Sequence, residues 1–108
     1  MRSPRKGGLI VSSTTLTDSE IDKALAELPG WTRSASAKVN TIQRVFEFPD
    51  FVQAMQFVNK VADAAESANH HPDIDIRYNK VTMALTSHDS GGVTNRDIKM
   101  ANKINQIK

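Results

Sequence analysis

Cysteine is absent from this chain. Its absence removes disulfide bonds, thiolate nucleophiles and every zinc or iron–sulfur site built on cysteine. A reducing compartment is compatible with that composition, and the cytoplasm, with the nucleus second, is the expected location. Long apolar runs are missing as well. None approaches the roughly 18 residues that cross a bilayer, and no secretory hydrophobic segment follows the N-terminus. Clustered positive charge is also scarce. The pI is about 9.1, yet Arg2, Arg5 and Lys6 carry the excess, and without them 11 basic residues face 12 acidic ones. A phosphate-binding stripe needs grouped Lys and Arg, so direct nucleic-acid contact is not expected, nor is a membrane.

What is present suits one domain with a modest core. The chain has 108 residues, 39% of them hydrophobic, a size at which oligomerisation often helps stability. Residues 1–15 read as a flexible N-terminal extension, with Leu9, Ile10 and Val11 as an alternative edge strand. The folded domain is expected over 16–108. Thr17 and Glu20 make a capping box with Leu16 and Ile21 at staple positions, and Ile21, Ala24, Leu25 and Leu28 form the apolar stripe of a first helix that Pro29 and Gly30 end. Trp31 opens a strand. Residues 41–48 alternate as a second, with Ile42, Phe46 and Phe48 on one side and Arg44 intruding among them. Asp50 caps a second helix whose Phe51, Ala54, Met55, Val58, Val61, Ala62 and Ala65 recur at helical spacing. It runs to about Ala68, because Pro72 and the residue before it resist helical geometry. Ile74, Ile76 and Tyr78 then alternate with Asp73, Asp75 and Arg77. A turn at Asn79 and Lys80 leads into a fourth strand reaching His88, with Tyr78 as a sheet-face core residue. Thr94 caps a last helix with Ile98, Ala101 and Ile104 inward. The order α-β-β-α-β-β-α predicts an α+β fold, a four-stranded antiparallel sheet with three helices on one face.

All three histidines fall in two short stretches, His70-His71-Pro72 and His88-Asp89. Imidazole exchanges protons near neutrality. With the hairpin turn at Asn79 and Lys80, His88 lies opposite His71, within cross-strand reach. Glu66, one helical turn before His70, is placed to orient that ring. Two facing imidazoles suit general acid and base work in a dehydration, an isomerisation or the hydrolysis of an activated bond. Ser87 and Ser90 flank His88 without the spacing of a hydrolase nucleophile. Zinc held by the three histidines with Glu66 or Asp89 competes, but adjacent imidazoles tend to point apart. Surface histidines complementing a helix dipole are the plainest alternative.

These residues resemble the pterin-4a-carbinolamine dehydratases, also described as the dimerisation cofactor of a hepatocyte nuclear factor. The pattern is an acidic residue, His-His-Pro, an aromatic, a His and an Asp at set spacings, here Glu66, His70-His71-Pro72, Tyr78, His88 and Asp97, in a frame with Trp31, Phe46, Phe48, Asp50 and Phe51. The likeness spans 16–107. It implies removal of water from a 4a-hydroxytetrahydropterin to give the quinonoid dihydropterin, recycling the cofactor of aromatic amino acid hydroxylases. No metal or further cofactor is implied, since the pterin is the substrate. It implies His70, His71 and His88 as catalytic residues, with His70 and His88 as the acid–base pair and His71 on the pterin ring. Pro72, Ser87, Asp89 and Ser90 then line the substrate, and Glu66 and Asp97 support it. Asp97 is equally explained as the partner of Thr94 in a capping box, and Trp31 either borders the pterin or anchors the core. Asp73 and Ile74 stand where many members carry Glu-Trp, and Ser90 replaces a cysteine common in animal forms. A homodimer or homotetramer is implied, and in animals a transcription-factor partner.

Overall fold

The computed structural model describes residues 14–34 and 39–108. The N-terminal extension, including Leu9, Ile10 and Val11, lies outside the described residues apart from Thr14 and Thr15. Along the chain run α1 (Asp18–Leu25), β1 (Thr32–Ser34), β2 (Thr41–Glu47), α2 (Phe51–Ala68), β3 (Asp73–Arg77), β4 (Lys80–Leu85) and α3 (Asn95–Ile107). The strands form one antiparallel sheet in the order β1-β2-β4-β3. No helix among the described residues is long and apolar enough to cross a membrane.

The core follows from strand parity. Ile42 and Phe46 of β2 and Val81, Met83 and Leu85 of β4 share one face and are buried. Helix α2 lays Ala54, Phe57, Val58, Val61 and Ala65 against it, and α3 adds Met100, Ala101 and Ile104. Phe57 stands between Phe46 and Phe48, with ring centroids 4.8 and 5.0 Å away. It was missing from the expected stripe, whereas Phe51 and Ala62 are exposed. Trp31 is a core anchor, its Nε1–H donating to Asn105 Oδ1 at 2.8 Å. Arg44, the intruder on the apolar side of β2, is accommodated by its length. Its guanidinium lies 4.3 Å from the Phe46 ring centroid and donates to the Pro29 carbonyl and Asn105. This is a snorkelling side chain, and it explains Gly30: a Cβ there would sit 2.5 Å from Arg44 Nε, on a backbone already at φ +88°.

Three boundaries differ from the sequence reading. Helix α1 stops at Leu25, and Glu27 and Leu28 continue with tighter three-residue bonds to Ala24 and Leu25, which still bury Leu28. The β3–β4 turn is at Tyr78 and Asn79, one residue earlier than expected, because Arg77 pairs with Lys80. Tyr78 adopts φ +54°, the left-handed first position of a tight hairpin turn. Asn79 fixes that register: its carbonyl accepts from Phe48 N–H and its amide donates to the Phe48 carbonyl, both at 2.9 Å. Tyr78 is therefore an exposed turn residue and not part of the sheet-face core. Finally, β4 ends at Leu85. Thr86 and Ser87 are buried in succession, which breaks the alternation that would have carried the strand to His88.

Candidate active site

The site is built where α2 ends and α3 begins. Helix α2 closes with a Schellman arrangement. Asn69 takes left-handed angles (φ 52°, ψ 42°), its N–H bonds to the Glu66 carbonyl, and the His70 N–H bonds to the Ala65 carbonyl at 3.1 Å. Asn tolerates this conformation better than most residues other than Gly. The cap changes the direction of the chain, and Pro72 keeps it from re-entering a helix.

The reversal separates the two histidines. His70 turns inward, its side chain 12% exposed, and its Nε2 lies 2.5 Å from Asp97 Oδ1. His71 stays outside and pairs with Glu66 at 2.5 Å. Glu66 therefore holds His71, not His70 as helical spacing suggested, because Asn69 breaks the helical phase between them.

Asp97 has no exposed surface, so its charge needs partners. Its Oδ2 accepts from the Thr94 N–H at 2.9 Å and from the Ser87 hydroxyl at 2.8 Å, while Oδ1 faces His70. Asp97 thus closes the capping box through Oδ2 and meets His70 through Oδ1. The hydroxyls have a direction. Ser87 donates to Asp97, so the 2.9 Å contact to Thr94 has Thr94 as donor, and Thr94 Oγ1 in turn accepts from the Arg96 N–H. With the carboxylate accepting, His70 presents Nε2–H to it. A neutral His70 ring then has Nδ1 as its acceptor.

The returning loop carries the other residues. Ser87 forms an isolated bridge with Gly92, and its carbonyl accepts from Ser90, Gly91 and Gly92. Gly91 supplies the φ of +81° that closes the turn. His88 lies in this turn, exposed. It is not opposite His71: the register ends at Asp73 and Ala84, and its continuation would set Thr86 there. Asp89 accepts from Arg96 at 2.8 Å. That hydrogen bond holds the Asp89 carboxyl below its usual range, with a smaller contribution from His70. Ser90 Oγ and Arg96 Nε are buried without a partner.

His70 borders a cavity of about 570 Å³ between α2 and α3, lined also by Asp63, Ala64, Ser67, Ala68, Arg96, Lys99, Met100 and Lys103. That volume falls in the range of small-molecule sites. The sequence reading found His70 on this wall and missed the rest. The missing signal was helical: positions 96, 99, 100 and 103 share one face of α3 and bring three cations together. His71, Pro72, Ser87, His88, Asp89 and Ser90 do not line the cavity. Ser87 stands behind it on Asp97, and Asp89 stands beside it on Arg96. Among the described residues no group of three His, Cys, Asp or Glu side chains is placed to share a metal ion.

Residues 14–107 match the family model described as pterin 4 alpha carbinolamine dehydratase. A protein of Koribacter versatilis (strain Ellin345) named "Putative pterin-4-alpha-carbinolamine dehydratase" is 61% identical over 95 residues, covering 88% of this chain and 97% of its own. A Brucella melitensis crystal structure described as a transcriptional coactivator/pterin dehydratase superposes with a TM-score of 0.81 at 41% identity, covering 87% of this chain and 98% of the other. A pterin dehydratase-like protein identified as a RuBisCO assembly factor in the alpha-carboxysome shares the fold at 19% identity and a TM-score of 0.61, over 72% of this chain and 88% of its own.

Proposed function

The chain belongs to the pterin 4 alpha carbinolamine dehydratase family, and we propose that it removes water from 4a-hydroxytetrahydropterins by histidine acid–base catalysis. The observation that carries this reading is the His70–Asp97 pair on the cavity wall. The buried carboxylate orients the ring and, by accepting from Nε2–H, leaves Nδ1 as the free nitrogen, as carboxylate partners of catalytic histidines do. His70 Nδ1 takes the proton from pterin N5 while the C4a–O bond breaks. The N5 electron pair forms the C4a=N5 bond, and the hydroxyl leaves as water with a proton from an acid. His88, one residue beyond Ser87, is the candidate acid. The elimination is redox-neutral and yields the quinonoid dihydropterin, so the protein serves to recycle the cofactor of aromatic amino acid hydroxylases. His71, tethered by Glu66, is assigned to the rim of the pterin site with Pro72, Asp89 and Ser90.

The test is the ultraviolet change on dehydration of a 4a-hydroxytetrahydropterin, with and without a chelator. Acceleration that survives chelation supports the reading. His70→Ala is expected to lower turnover by about 10²- to 10⁴-fold, the usual contribution of a general base. A folded protein that leaves the uncatalysed rate unchanged would sink it. The description of the Brucella relative as a transcriptional coactivator favours one second reading, a protein-binding role toward a transcription factor, which a folded but inactive chain would bring forward. A homodimer or homotetramer is proposed for either role.

A further inference from the structure

The cavity continues past its histidine end. His70 meets Asp97 where α2 has ended and α3 begins, and the lining continues away from that junction to Asp63 on α2 and to Lys103 on α3. At about 1.5 Å per residue, Lys103 lies roughly 10 Å along α3 from Arg96, with Lys99 between them. That is longer than the reacting edge of a bicyclic ring requires. The charges are uneven. Arg96 is bound to Asp89 through Nη2 and leaves Nε without a partner. Among the described residues Lys99 and Lys103 make no ion pair, and Asp63 is the only acidic group on the lining. Ala64, Ala68 and Met100 make the rest of the wall apolar apart from Ser67 and His70, and low-dielectric walls strengthen the field of the cations beside them.

Resting on the dehydratase reading, we infer that this groove receives the substituent on pterin C6, and that Lys99 and Lys103 select a substituent carrying an anion, either a phosphate ester or a carboxylate. C6 is bonded to N5. A pterin with N5 at His70 therefore starts its side chain beside the reacting atoms, and the open length of the groove leads that chain to the two lysines. A neutral hydroxylated side chain fills the same space and leaves both cations unmatched.

The experiment compares kcat/KM for 4a-hydroxytetrahydropterins with a neutral dihydroxypropyl, a phosphorylated and a carboxylate-terminated C6 side chain. Binding of the corresponding oxidised pterins is followed in parallel by their fluorescence. One or both anionic substrates should be preferred on the order of tenfold, mainly through KM, as expected of two partly exposed charge contacts. The preference should shrink with added salt and collapse toward one in the Lys99→Gln/Lys103→Gln variant. Asp63→Asn should enlarge it. The phosphate and carboxylate arms show which anion is selected. Equal kcat/KM for all three substrates, or a preference that survives in the double variant, overturns this inference and leaves the dehydratase reading standing. Failure of every pterin to bind and react overturns both.

Discussion

Asp97 carries the largest consequences of any single residue. Its oxygens hold His70, Ser87 and the Thr94 N–H at once, so Asp97→Asn damages both the site and the start of α3. Turnover is expected to fall by about 10²-fold or more, together with a loss of roughly 2–3 kcal/mol of stability, read by paired assays and denaturant melts. A full loss of activity in a variant as stable as the parent would separate the two roles. Asp89 allows a gentler test. In Arg96→Met its carboxyl should titrate closer to the ordinary carboxylate value, because the hydrogen bond from Arg96 is the main cause of the depression. The sign follows from linkage: a carboxyl lower in the folded than in the unfolded chain adds stability above the unfolded pKa, and loses it as pH falls through the folded one. Carboxyl carbon NMR titration reads the shift directly. An Asp89 pKa unchanged in the variant would remove the assignment to Arg96. At this scale the sequence pointed to His70 through its histidine cluster, and to Asp97 through the Thr94 capping box and the family resemblance. It mispaired Glu66, because the left-handed Asn69 lies between helix and histidines, and a single αL residue leaves little trace in a periodic pattern.

Among the elements, the β3–β4 hairpin is the one that tests local strain. Tyr78 is exposed and sits at φ +54°, a region costly for residues with a bulky side chain. Tyr78→Gly should relieve that cost, partly offset by the backbone freedom of glycine in the unfolded chain, for a net gain of up to about 1 kcal/mol in chemical denaturation. A clear loss would mean that the ring has packing partners in solution. Asn79→Ala should cost about 1 kcal/mol by removing the bond to the Phe48 carbonyl. The hairpin also shows where pattern reading ends. Alternation identified that both strands exist but ran each of them too far, to Tyr78 and to His88, and a turn placed one residue late shifts every cross-strand partner, and with it the expected meeting of His71 and His88. The anchor that decides the register, Asn79 on Phe48, joins positions 31 residues apart and is invisible to local rules. The helices were more legible, since Thr17, Asp50 and Thr94 announce their starts and all three cap as expected.

For the whole molecule, the sheet of the described residues ends in a strand with one open edge. Among the described residues β3 is paired on one side only, and Ile74, Ile76 and Tyr78 are among the exposed large hydrophobic residues. Such an edge is a template for association. Sedimentation is expected to show a species heavier than the 11.9 kDa chain, and Ile74→Lys/Ile76→Lys should shift it toward the monomer. An unchanged mass would move the interface elsewhere. The fold class and the helix order were legible in composition and periodicity. The assignment of the edge was not, because strand order depends on which hairpins dock together. One consequence of Asp97 reaches beyond catalysis. The Thr94 amide proton is held by the same carboxylate that holds His70, so any fluctuation freeing the carboxylate exposes that proton to solvent. Its deuterium exchange is therefore a clock for the assembled site. A ligand that settles against His70 should slow that clock, and one that binds elsewhere on the surface should leave it running at its own rate.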